Sequence, residues 1–155
     1  MRAVIRVVAA CLVCAALAAC GGSGSSAGSD RLQIESMFSS VDRAMANGDY
    51  AGACGRFSSH QQATIVAGAN RAGLKVTTCA GALSTLIRET GITRAQLAQT
   101  FGGGAAPKLR SLSVHGDQAT VTYTTYTQGK KYIETDALVR EGGQWKADRV
   151  LKRSG

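Results

Sequence analysis

The sequence predicts an α+β fold, with N-terminal helices packed on an antiparallel sheet of about four C-terminal strands. Three observations carry this. Apolar residues recur at helical spacing early in the chain, as in Ile34, Met37, Phe38, Val41, Ala44 and Met45. After Gly102-Gly103-Gly104 the period falls to two and Thr, Val and Tyr accumulate. Gly-bearing turns then cut the remainder into strand-length pieces. Helices first and a meander second is the α+β order, and the helices must cover one face of such a sheet.

The chain opens with Arg2 and Arg6 ahead of an apolar run from Val7 to Ala19. A basic start followed by a short apolar stretch and small residues describes a secretory signal. The run is about 13 residues, whereas a spanning helix needs roughly 20. The two arginines are not adjacent, which argues against twin-arginine export. Leu17-Ala18-Ala19-Cys20-Gly21 resembles the lipobox of bacterial lipoproteins. That resemblance implies cleavage before Cys20, a diacylglycerol on its sulfur and acylation of the new amine. Two or more chains anchor stably where one does not. The expected organisation is therefore a lipoprotein signal peptide over 1–19, a lipidated Cys20 with a flexible Gly/Ser tether over 20–29, and a single domain over 30–155.

Within the domain, Asp30 is expected to cap the first helix with Gln33 as its capping-box partner, and Asn47-Gly48 to stop it. Asp49 can cap a short second helix carrying Tyr50, Ala53, Cys54 and Phe57. Ser58 or Ser59 opens a third through Gln61, Ile65 and Val66, with a loop expected over Ala69 to Lys75. Thr78 caps a helix from Cys79 to Glu89 that Gly91 ends, and Thr93 to Thr100 is a weak short helix. Gly102-Gly103-Gly104 reads as a hinge, because it lacks the Gly-Lys-Ser/Thr of a phosphate loop.

Strands are expected over Leu109 to Val114, Ala119 to Thr127, Tyr132 to Arg140 and Trp145 to Leu151. The turns are His115-Gly116-Asp117, Gln128-Gly129-Lys130 and Glu141-Gly142-Gly143. In the second strand Val121, Tyr123 and Thr125 share one face. In the third, Glu134 and Asp136 point the same way and could form a paired-carboxylate site, but alternation with Ile133, Thr135, Ala137 and Val139 instead places both towards solvent.

The chain carries 18 basic and 10 acidic residues. Removal of Arg2 and Arg6 with the signal lowers the formal net charge from +8 to +6. This is a solvated basic surface that could favour anionic lipids or envelope polymers. No basic cluster interleaved with aromatics points to nucleic acid. Of the five cysteines, Cys11 and Cys14 leave with the signal and Cys20 takes the lipid. Cys54 and Cys79 remain as an even pair in an oxidising compartment. A disulfide between them closes a loop of about 26 residues, worth roughly 3–4 kcal/mol on the chain-entropy model. The alternative, a metal site with His60 or His115, lacks the close Cys/His spacing such sites use, so no metal or cofactor is expected.

Two stretches are similar to nuclear-transport-factor-2-like domains. One is Val114-His115-Gly116-Asp117-Gln118-Ala119-Thr120-Val121 followed by Ala137-Leu138-Val139-Arg140-Glu141-Gly142-Gly143-Gln144-Trp145-Lys146-Ala147-Asp148. The other is Ala46-Asn47-Gly48-Asp49-Tyr50-Ala51-Gly52-Ala53-Cys54 after a first helix. The resemblance covers about Asp30 to Val150. It implies a cone with a curved sheet wrapped around helices and a pocket at the open end. Isomerases, dehydratases, hydrolases and non-catalytic adaptors share that fold, so it does not select a function.

The enzymes of that fold place an Asp general base in the pocket, often helped by Tyr or His. Here Tyr123, Val121 and Trp145 are the candidate pocket lining, although a core or rim place is the plainer reading of Tyr123 and a core place that of Trp145. His60 lies in a polar run and His115 in a turn, both expected at the surface. With no catalytic constellation evident, the expected protein is a non-catalytic lipoprotein, lipid-anchored on the outer face of the cytoplasmic membrane. It would bind a small apolar ligand or an envelope protein partner. The alternatives are a ketosteroid-isomerase-like or dehydratase-like enzyme, and a subunit that dimerises through the outer sheet face at Thr122, Thr124 and Tyr126.

Overall fold

The computed structural model describes residues 23–101, 107–127 and 130–155. Five helices precede four strands: α1 (Ser23–Asn47), α2 (Tyr50–Cys54), α3 (Ser59–Arg71), α4 (Cys79–Thr90), α5 (Arg94–Phe101), β1 (Leu109–His115), β2 (Gln118–Thr127), β3 (Lys130–Glu141) and β4 (Gln144–Ser154). The signal segment, Cys20, the Gly102-Gly103-Gly104 hinge and Gln128-Gly129 lie outside the described residues. No described helix is long and apolar enough to cross a membrane.

The strands form one antiparallel sheet in the order β1-β2-β3-β4. Its inner face and the apolar stripe of α1 make the core. Ile34 and Met37 meet Leu109, Ala119, Val121, Leu138 and Trp145 there, with Phe38 and Val41 packed alongside. The stripe recurs every three to four residues, so one face of α1 is apolar from Ile34 to Met45. The sheet's free edge is partly covered. Ser58 N–H donates to the Ala147 carbonyl at 2.8 Å and Ala147 N–H to the Arg56 carbonyl at 2.9 Å. That pairing satisfies β4 backbone groups an open edge would expose.

The helix caps follow their side chains. Asp49 accepts from Gly52 N–H, Ser58 from Gln61 N–H, and Thr78 from Gly81 N–H. Gly91 closes α4 at φ +66°, a left-handed conformation that glycine adopts without a Cβ clash. The disulfide Cys54–Cys79, with Cα atoms 6.0 Å apart, ties α2 to α4.

Three expectations are corrected. The first helix begins upstream of Asp30, so the described part of the expected tether, Ser23 to Ser29, is helical. Asp30 does not cap it, because its carboxylate is committed to the sheet: it accepts from Trp145 Nε1 at 3.0 Å and Arg140 Nη2 at 2.6 Å. The third helix continues to Arg71, through residues expected as loop, and buries Ala69 against the helical layer.

The third correction concerns the faces of β3. Glu134 and Asp136 point inward, only 8% and 6% exposed. The reason is register. Tyr123 lies opposite Glu134, Val121 opposite Asp136 and Ala119 opposite Leu138. Directly opposed residues share a face, and Ala119, Val121 and Tyr123 are buried against the helices. The apolar set Ile133, Thr135, Ala137 and Val139 is therefore on the outer face, half-buried.

Candidate functional site

A cavity of about 610 Å³ opens between α1, the end of α5 and the inner face of the sheet. Phe38 and Val41 reach it from α1, Phe57 from the segment before α3, and Phe101 from α5. Phe38 meets the ring of Tyr123 at 4.9 Å between centroids, tilted by 52°. This is the offset geometry that aromatic quadrupoles favour.

The polar part of the wall comes from β2 and β3. Tyr123 Oη donates to Glu134 Oε1 at 2.9 Å and to Asp136 Oδ2 at 2.8 Å. A phenol has one hydrogen, so two carboxylates share a single donor. Glu134 is also paired through Oε2 with Arg153 Nε at 2.7 Å. Asp136 has no such second partner: its Oδ1 is buried without a hydrogen bond. A buried carboxylate in that state resists ionisation. Burial first, and then the neighbouring Glu134, push the Asp136 carboxyl up to about 6, against the lowering by the Tyr123 bond and Arg153. Burial and the two carboxylates also push the Tyr123 phenol well above its ordinary value. Tyr123 is thus a neutral donor held at an acid pair.

Asp42 faces the same cavity from α1. Burial alone raises its carboxyl to about 6, and it has no hydrogen bond or ion pair with any described residue. Chemically, the site combines aromatic walls, a neutral phenol donor and carboxyls that change charge near neutral pH.

Of the expected pocket residues, Tyr123 lines the cavity. Val121 and Trp145 lie in the packed core, 0% and 2% exposed. His60 is exposed and meets Asp148 Oδ1 at 3.2 Å, while Ser58 Oγ donates to that same oxygen at 2.7 Å. Both groups point at the carboxylate, so Ser58 and His60 do not form a nucleophile–base pair. His115 is exposed beside Ser113. Among the described residues no three His, Cys, Asp or Glu side chains are placed to hold a metal ion.

Sequence reasoning missed Glu134, Asp136, Asp42 and Arg153 as one constellation. A signal for two of them exists. A connection of two residues between Thr127 and Lys130 pairs those positions, and counting outward places Tyr123 opposite Glu134. Asp42 carries no comparable mark, since it sits on the helix one position past Val41 with an ordinary polar spacing. No family model, curated protein or solved structure matches the chain.

Proposed function

We propose that this chain is an extracytoplasmic lipoprotein, anchored through Cys20, whose nuclear-transport-factor-2-like cone holds a small, largely apolar ligand. The cavity between α1 and the sheet carries the reading. Its volume of about 610 Å³ falls in the range of small-molecule sites, and its wall joins the rings of Phe38, Phe57, Phe101 and Tyr123 to convergent polar groups of β2 and β3. The Leu17-Ala18-Ala19-Cys20 segment supports the anchor, and helices followed by a four-stranded antiparallel sheet are compatible with the cone.

Native mass spectrometry of the protein extracted from its own envelope in mild detergent tests this. The expected result is a chain beginning at acylated Cys20 and carrying a small extra mass that is lost on denaturation. A bare chain overturns the ligand reading, and an unprocessed N-terminus overturns the anchor.

A second reading, a proton-transferring isomerase or dehydratase, is favoured by one observation. Asp136, with its carboxyl near 6, shares the phenol proton of Tyr123 inside the cavity. A carboxyl poised near the working pH is suited to moving a proton. If the co-purified ligand takes up carbon-bound deuterium in heavy water with the wild-type protein and not with Asp136→Asn, the reading stands. Equal uptake by both, or by neither, removes it.

A further inference from the structure

The charges around the cavity do not balance, and the imbalance identifies a ligand class. The titratable groups that line it are Asp42 from α1, Tyr123 and Tyr126 from β2, Glu134 and Asp136 from β3, and Asp148, Arg149 and Arg153 from β4. Two of the acids have guanidinium partners within the wall: Glu134 with Arg153 at 2.7 Å, and Asp148 with Arg149 at 3.1 Å. Asp42 has none, and Asp136 has only the attraction of Arg153, which is already paired with Glu134. This acidic excess sits in a chain of formal net charge +8, so it is local to the cavity.

Acidic residues alone would not make a site. The second observation is the buried Oδ1 of Asp136. Its residue is 6% exposed and lines the cavity, and that oxygen accepts no hydrogen bond. A buried acceptor left open costs free energy that a donor arriving from the cavity would recover. The same cavity is lined by the contacting rings of Phe38 and Tyr123, and aromatic rings attract cations as well as apolar groups.

We propose that the cavity takes an organic cation: a protonated amine on a small apolar or aromatic body, its N–H donating to Asp136 Oδ1 and its charge shared with Asp42. The proposal rests on the ligand-binding reading and narrows it. A neutral ligand would leave both carboxyls to be neutralised by protons, and an anion would add a third uncompensated negative charge. An ammonium instead lets both carboxylates ionise inside the protein. Binding therefore releases protons, and affinity falls as the solution is acidified through about pH 6, where both carboxyls titrate.

Isothermal titration of the full chain in mild detergent with three matched probes tests this: 2-phenylethylamine, 2-phenylethanol and 3-phenylpropionate. At about pH 8 the amine should bind about tenfold more tightly than the alcohol, and the acid should be weakest. At about pH 5, where the amine is still protonated, its advantage should fall to about threefold or less. Asp136→Asn should remove most of that advantage. Asp42→Asn should reduce it by a smaller factor. Alcohol binding equal to amine binding at about pH 8 overturns the cation proposal and leaves the ligand reading standing. Binding by none of the three overturns the proposal as well, and the ligand reading then rests on the native mass measurement alone.

Discussion

Two buried carboxylates meet the inner face of the sheet, Asp30 from α1 and Asp136 from β3, and the chain treats them differently. Asp30, 8% exposed, accepts hydrogen bonds from the Trp145 indole and the Arg140 guanidinium, and Arg140 also stacks over the Trp145 ring at 4.4 Å. The Trp145 hydrogen bond, helped by Arg140, holds the Asp30 carboxyl below its ordinary range despite burial. Asp136, 6% exposed, has half of a phenol and one oxygen with no partner. Its carboxyl is pushed up to about 6. The two shifts run in opposite directions because the Trp145 and Arg140 donors outweigh burial at Asp30, whereas burial outweighs the shared phenol donor at Asp136. The satisfied carboxylate fastens α1 to the sheet. The unsatisfied one stands in a cavity, where a missing partner marks a site.

The largest effect is expected from breaking the satisfied site. Asp30→Ala leaves the buried indole N–H without an acceptor and the half-buried Arg140 without its main partner. Urea unfolding should show a loss of about 2–3 kcal/mol, accompanied by a change in Trp145 fluorescence. The second largest effect has the opposite sign. Asp136→Asn removes a carboxylate whose ionisation is opposed by its surroundings, so at about pH 8 the variant should gain up to about 2 kcal/mol. At about pH 4 wild type and variant should agree.

These signs follow from linkage. A carboxyl raised on folding contributes stability that is complete below its unfolded value and lost as pH rises through about 6. A lowered carboxyl, as at Asp30, contributes stability above its unfolded value that is lost as acid titrates the folded group. The Asp30 site therefore weakens in acid while the Asp136 site relaxes, and the two single variants should show pH profiles of opposite slope. Tyr123→Phe sharpens the same contrast: it strips the shared donor from both acids and should cost about 1–2 kcal/mol near neutral pH. The smallest change is expected at Arg153, whose side chain is 49% exposed. Arg153→Ala should alter stability by less than about 1 kcal/mol, while pushing the midpoint of the Asp136 titration upward, which carbon-detected NMR of the carboxyl would read.

The difference between the two carboxylates also separates what was readable from the chain. The caps at Asp49, Ser58 and Thr78 and the stop at Gly91 are local events. Each needs only a side chain within three residues of the backbone group it satisfies. Asp30 looked like another cap of that kind by its position ahead of Gln33 and Ile34. Its real partners, Arg140 and Trp145, lie more than a hundred residues away, and no local rule ranks a distant indole above a neighbouring amide.

The four strands were legible from their composition, but not which face of β3 is buried. That face carries Glu134, Asp136 and Leu138, while the outer one carries Ile133, Ala137 and Val139. Read alone, β3 turns the wrong way. Paired with β2, it cannot, since Ala119, Val121 and Tyr123 draw whatever lies opposite them into the core.

By itself, then, the sequence determined the element order and the helix caps at Asp49, Ser58, Thr78 and Gly91, because periodicity and capping act over a few residues. The tertiary structure decided which carboxylates are buried, which of them find donors and which faces a cavity. Those properties depend on strand register and on contacts between α1 and the sheet, and a charge shifts only in response to the groups that folding brings around it.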